Sequence, residues 1–272
     1  MPYLLPATIV AGVSALALSA RWAWWRPRRP GLMALCYHKI GVPPAGSRLK
    51  DLWVSPERFR SHVKYLLDHG YATVTFSDLK KAHEGRKKLP EKAVLITFDD
   101  GYENNYLHAW PILKELGAKG NIFVVYNTIG KANLWHDPSS EPWVKMATLA
   151  QLREMQDSGV MEYGSHTMDH PHLPRLKLED AAWQMAESKR QLESVFGREM
   201  CAFAYPYGEG AYHPEIRAKA LEAGYLFDFS FRQGKTAWPW DREAGPIDRL
   251  FIRGGDNNWD LALHLTRGDS RL

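Results

Sequence analysis

The chain has 272 residues, enough for one large domain or two small ones, and 45% of them are apolar against 24% charged, which excludes a disordered chain. The formal charge of +4 comes from Arg21, Arg26, Arg28 and Arg29; from Gly31 onward basic and acidic residues balance. A nucleic-acid binder needs a basic face on its folded domain, so that class is disfavoured. Two cysteines, Cys36 and Cys201, exclude a disulfide scaffold and a cysteine-rich zinc knuckle.

Residues 3–20 carry no charge and are followed by Trp22, Trp24, Trp25 and the run Arg26-Pro27-Arg28-Arg29-Pro30. This pattern predicts a membrane anchor over residues 3–25 with a Trp-rich interfacial belt. A secretory signal, cut after Ala15-Leu16-Ala17, competes with it, but such a signal begins with a charged region and here only the α-amine is charged. Residues 1–30 therefore read as anchor and basic juxtamembrane segment, and 31–272 as the folded domain. The arginine flank puts that domain on the cytoplasmic face by the positive-inside rule.

The body alternates short apolar runs with amphipathic ones. Strands are expected at 32–37, 71–75, 93–98, 121–126, 161–165, 201–204, 226–231 and 247–252. Helices are expected after Ser55-Pro56-Glu57, after Ser77, and at 106–116, 148–158, 178–196, 214–223 and 258–265, several closed by glycine. Uniformly apolar strands alternating with helices mean a parallel sheet covered by helices. About seven such units predict an α/β fold, a distorted (β/α)7-type barrel. Gly41–Ser47 reads as a surface loop.

Chemistry-bearing residues follow several of these strands. Thr97-Phe98-Asp99-Asp100-Gly101 sets adjacent carboxylates at a strand end, the functional end of a β/α barrel; alone, it is as readily a helix cap or a turn. His166-Thr167-Met168-Asp169-His170 places two imidazoles four residues apart, and a carboxylate with two histidines is a three-ligand face for Zn2+. His172 reads as surface. Phe203-Ala204-Tyr205-Pro206-Tyr207-Gly208 is either a turn with packed aromatics or part of a sugar site. Tyr37-His38-Lys39 follows the first strand, and Arg249 lies in the last.

In this order and spacing the motifs resemble those of the polysaccharide deacetylase family, the NodB homology domain of carbohydrate esterase family 4, from about Leu32 to about Leu265. The resemblance is greatest to the biofilm poly-N-acetylglucosamine deacetylases. It implies metal-dependent removal of N-acetyl groups from amino sugars. Asp99 would be the base. Asp100, His166 and His170 would hold a divalent metal, Zn2+ first, with Co2+, Ni2+ or Fe2+ compatible with the same donors. The Tyr207 backbone N–H would help polarise the carbonyl. Tyr205, Pro206, Tyr207 and Arg249 make the expected substrate-binding set.

Two departures from the family pattern stand out. An arginine normally precedes the proline of the third motif, and here that place is Tyr205, so either Arg249 orients Asp99 or nothing does. The usual C-terminal histidine motif is missing, since His264 reads as helical; in the permuted branch an early histidine serves, which makes His38 the expected acid and His264 its rival. The resemblance implies as substrate an N-acetylated exopolysaccharide or envelope glycan. A small or lipid-linked amino sugar and a non-catalytic glycan-binding module are the competing readings.

Overall fold

The computed structural model of the chain describes residues 19, 21, 22 and 24–271. Of the stretch expected to anchor the protein, 3–25, the described residues include only 19, 21, 22, 24 and 25. Among the described residues, no helix is long and apolar enough to cross a membrane.

In chain order the elements are β1 (Met33–Tyr37), β2 (Lys39–Ile40), β3 (Trp53–Val54), α1 (Pro56–Asp68), β4 (Ala72–Val74), α2 (Phe76–His83), β5 (Ala93–Phe98), α3 (Trp110–Glu115), β6 (Gly120–Val124), α4 (Leu149–Asp157), β7 (Met161–Ser165), α5 (Leu178–Phe196), β8 (Ala202–Ala204), α6 (Pro214–Glu222), β9 (Phe227–Gln233), β10 (Ile247–Phe251) and α7 (Asn258–Arg267). Sequence signals set many of the boundaries. Ser55 caps α1 by accepting from the Arg58 N–H, with Pro56 in its first turn. Reciprocal capping boxes open α2 (Thr75, Asp78), α4 (Thr148, Gln151) and α7 (Asn257, Asp260). Gly197 ends α5 in the left-handed conformation at φ 63°.

Seven parallel strands close a ring among the described residues, in the order β1-β10-β9-β8-β7-β6-β5 and back to β1. This is the expected barrel, and its distortion has a local cause. One edge of β5 pairs with β1 along its whole length; the other is shared, with β4 beside Ala93–Leu95 and β6 beside Thr97 and Phe98. Strand β4 therefore lies outside the ring. The Phe76 ring at the start of α2 packs on Phe123 and Phe229, at centroid distances of 5.0 and 5.7 Å.

Strand periodicity sorts the side chains into two layers. Leu35, Tyr37, Val94, Ile96 and Phe98 pack with the helix residues Phe59, Val63 and Leu66. Ala34, Leu95, Phe123, Phe227, Phe229 and Ile247 form a second apolar cluster. Continuing that second set in steps of two residues along the strands reaches Cys36 and His38, Thr97 and Asp99, Phe231 and Arg249. The inner face is thus apolar along most of its length and polar at the C-terminal strand ends.

The boundary near residue 30 needs a correction. The Arg21 guanidinium and the Trp22 indole N–H both reach the buried Asp260 carboxylate, and the Arg29 N–H donates to the Thr266 carbonyl. The basic segment is seated along α7 rather than forming a free tether.

Candidate active site

The first strand-end cluster depends on one backbone feature. Successive residues on a strand face opposite ways, yet Asp99 and Asp100 line the same cavity. Asp100 has φ 77°, a left-handed conformation that turns its side chain back. Among the described residues, the non-glycine residues with positive φ are Asp100, Thr167, His170 and Tyr207, all in the expected site motifs. Such conformations cost of order 1 kcal/mol or more each and persist where the surroundings over-determine them. At Gly208 any side chain is excluded, because a Cβ there would lie 2.4 Å from the Phe231 Cβ. The loop after β8 thus closes directly onto the cavity wall.

The cavity has a volume of about 350 Å³. On one side Asp100 Oδ1 lies 3.4 Å from His166 Nε2 and 3.3 Å from His170 Nε2. All three residues are buried. His166 Nδ1 sits 2.7 Å from the Ala204 carbonyl, a contact in which Nδ1–H donates, so Nε2 is the nitrogen turned toward Asp100. The His170 ring is stacked on Trp135 at 4.4 Å and meets Tyr207 edge-on at 4.6 Å. Burial pushes the Asp100 carboxyl up, but the neighbouring His170 and His166 outweigh this and hold it well below the usual carboxylate range.

Beside this trio, Arg249 grips Asp99 with a two-pronged fork, Nη1 to Oδ1 at 2.5 Å and Nη2 to Oδ2 at 2.8 Å. Arg249 Nε donates to the Ser230 carbonyl, which fixes the fork in place. Burial raises the Asp99 pKa, and the Arg249 guanidinium together with His166 and His38 reverses it, so the carboxyl stays below its ordinary value. Of the two alternatives the sequence leaves open, Arg249 is the partner of Asp99. As a substrate contact it needs correction: it is 1% exposed and all its polar contacts are to protein. Its place is behind Asp99.

His38 lies across the cavity with Nε2 3.9 Å from Asp99 Oδ2. Its ring is held edge-on between Phe231 and Phe251, each at 5.8 Å. Burial pushes its pKa down to about 4, so the resting imidazole is neutral at pH 7. His264 is elsewhere, buried on α7 with Nε2 3.3 Å from Asp256 and Nδ1 2.9 Å from the Gln233 amide. Tyr205 also needs correction: its side chain is fully buried and its hydroxyl donates to Asp228, so its ring offers no stacking face. Pro206 is buried as well, whereas Tyr207 is 40% exposed. His172, read as surface, is stacked flat on Tyr207 at 4.0 Å and paired with Glu209. Trp135, His136, Tyr102, Leu49 and Leu52 also line the cavity. The sequence marks them only as residues of loops that follow strands.

Among the described residues, two sets of side chains have donor atoms close enough to share a cation, Asp100 with His166 and His170, and Cys36 with His38 and Asp99. Charge separates them. Both Asp99 oxygens are already occupied by a guanidinium that repels a cation, and burial drives the Cys36 thiol pKa well up, against thiolate formation. The Asp100 trio has an oriented imidazole and a carboxylate held ionised, so these residues fit a divalent metal.

A parallel β/α barrel with one carboxylate–imidazole–imidazole set and a second carboxylate in an arginine fork, all at the C-terminal strand ends, is an arrangement suited to hydrolytic chemistry. The sequence profile described as polysaccharide deacetylase matches residues 86–227. The polysaccharide deacetylase YxkH of Bacillus subtilis is 35% identical over 216 residues, covering 79% of this chain and 70% of that protein. The poly-beta-1,6-N-acetyl-D-glucosamine N-deacetylase of Staphylococcus aureus is 27% identical over 216 residues, 72% of each chain. The solved structure of IcaB from Ammonifex degensii superimposes with a TM-score of 0.69 at 29% identity, over 84% of this chain and 94% of that one. The chain belongs to the polysaccharide deacetylase family, hydrolases of the carbon–nitrogen bond of N-acetyl groups. Deacetylases of this family are metal-dependent.

Proposed function

We propose that this protein removes N-acetyl groups from the amino sugars of an exopolysaccharide or envelope glycan, with Asp99 as base, His38 as acid and a divalent metal, Zn2+ foremost, on Asp100, His166 and His170. The observation that carries the reading is the adjacency of two differently treated carboxylates in one cavity, Asp99 in the Arg249 fork and Asp100 against two imidazoles. Relatives named for poly-beta-1,6-N-acetyl-D-glucosamine support a polymeric substrate.

When bound, such a metal polarises an amide carbonyl and lowers the pKa of water toward neutrality. The protein's own groups handle the protons. The Arg249 fork keeps Asp99 ionised and fixed, ready to accept a proton from the attacking water. An amide nitrogen leaves only when protonated. His38, neutral at rest, must gain the proton it delivers, and Asp99 Oδ2 at 3.9 Å is the adjacent source. The Tyr207 N–H is the expected donor to the developing oxyanion.

General acid catalysis is worth about 10²–10⁴ in rate. His38→Asn is therefore expected to lower turnover within about that range while metal content stays intact, and His264→Asn to leave turnover nearly unchanged. The reverse pattern would reassign the acid. Comparing acetate release from polymeric N-acetylglucosamine and from a lipid-linked amino sugar tests the substrate class: the polymer is expected to be preferred, and preference for the lipid-linked sugar would contradict the proposal.

We also infer that residues 3–25 anchor the protein in the membrane of the cell envelope. The uncharged run supports this; Arg21 and Trp22 at its end are held by Asp260, and the exposed Trp24 and Trp25 are the aromatic residues left for the interface. N-terminal sequencing of the mature protein is expected to find the segment retained; a start near Leu18 or Arg21 would mean a cleaved signal.

A further inference from the structure

Lys39 is a buried charge that neither the fold nor the proposed reaction accounts for. It sits on β2, directly after His38, and is fully buried. Lysine is almost never buried to this degree unless it is paired. Its Nζ has no hydrogen-bond partner. The ammonium instead lies 4.7 Å from the centroid of the Tyr102 ring and 5.4 Å from that of Trp53. Tyr102 is itself a wall of the cavity.

Burial lowers the Lys39 pKa, and the carboxylates that oppose this and favour the charged form are Asp100 and Glu141. Glu141 is already satisfied by the Ser47 hydroxyl and the Arg48 and Leu49 N–H groups. Asp100 belongs to the metal-fitting trio. A neutral side chain of the same length would fill the space between two aromatic rings without the desolvation penalty, so stability alone does not explain the charge.

We propose that Lys39 is a positioning residue that acts through its charge, favouring the movement of negative charge from Asp99 to the acetyl oxygen and limiting the affinity of Asp100, His166 and His170 for their metal. This rests on the deacetylase reading of the site. In the ground state the acetamide is neutral and gains little from a nearby cation. In the transition state its oxygen carries negative charge, and a pre-placed cation lowers the barrier without tightening substrate binding. The same cation repels a divalent ion on the neighbouring ligands. Removing the charge should therefore move turnover and metal affinity in opposite directions, whereas loss of a merely structural lysine would weaken both.

The experiment compares full-length Lys39→Met and Lys39→Arg with the wild type, by titrating Zn2+ alone into metal-stripped protein and by measuring kcat and KM on N-acetylglucosamine oligomers. Lys39→Met is expected to bind Zn2+ about ten-fold more tightly and to lose about ten-fold or more in kcat with KM nearly unchanged. Lys39→Arg keeps the charge and is expected to bind Zn2+ as the wild type does. Zinc affinity unchanged or weakened in Lys39→Met, or kcat close to wild type, would overturn the proposal. If Lys39→Met does not fold, Lys39→Gln replaces it with the same expectations. The zinc titration needs no substrate, so inactivity of the wild type on acetylated sugars would sink the deacetylase reading while still reporting the effect of the charge.

Discussion

Replacing His170 by Ala is expected to remove bound metal and turnover together. The imidazole is one of three groups around a common point, and Asp100 and His166 alone leave a two-ligand site. Changes to groups that only support a metal ligand cost 10–100-fold in affinity or activity, so loss of the ligand itself should exceed about 100-fold. The fold should survive. His170 has φ 60°, a region that Ala adopts less readily than His, a modest cost at one position, and its neighbours Trp135 and Tyr207 are anchored in separate loops. Asn tolerates this conformation better, and His170→Asn serves as the second variant. Metal content and turnover are measured on the same preparation. Full metal occupancy in both variants would remove His170 from the ligand set.

Arg249→Met is expected to damage both stability and catalysis. The fork joins two side chains that are almost completely buried. Breaking a buried pair from one side leaves an uncompensated charge and typically costs about 3–5 kcal/mol. Without its counter-charge Asp99 favours the protonated form, which is useless as a base. Adding Asp99→Asn should then recover much of the stability, since no buried charge is left, and none of the activity. Urea unfolding of the two single variants and the double variant reads the coupling. If Arg249→Met unfolds like the wild type, the fork is not what holds Asp99.

The contrast between these two residues reflects what a sequence can carry. His170 stands four residues from His166, and local spacing was enough to suggest a shared ligand face. The Arg249–Asp99 pair spans 150 residues, so the sequence offers Arg249 only as one of two outcomes. Tyr205 shows the opposite failure. Its motif suggests a sugar-facing aromatic, but its hydroxyl is claimed by Asp228, which is held in turn by Arg217 from α6. Nothing local signals that network.

Elements were legible where apolar runs or caps are strong, as in β5 and α5. The helix expected over 106–116 is instead a π turn at Asn105–Ala109 followed by α3. Pro111 lacks the N–H that would continue an α-helical ladder, a local reason for the change of register. Strands β2 and β3 have two residues each, too few for any period to show. They nonetheless position Lys39 and Trp53. The left-handed turn at Asp100 was equally invisible, because Asp-Asp-Gly reads as an ordinary turn until φ is seen.

The most direct test of the central claim is acetate release from N-acetylglucosamine oligomers by one preparation in three states: as isolated, stripped by chelator, and resupplied with Zn2+. Hydrolysis that disappears on stripping, returns with Zn2+ and stays absent in Asp99→Asn at full metal occupancy is the predicted result. Acetate release that persists after complete stripping, or that survives in metal-loaded Asp99→Asn, would contradict it.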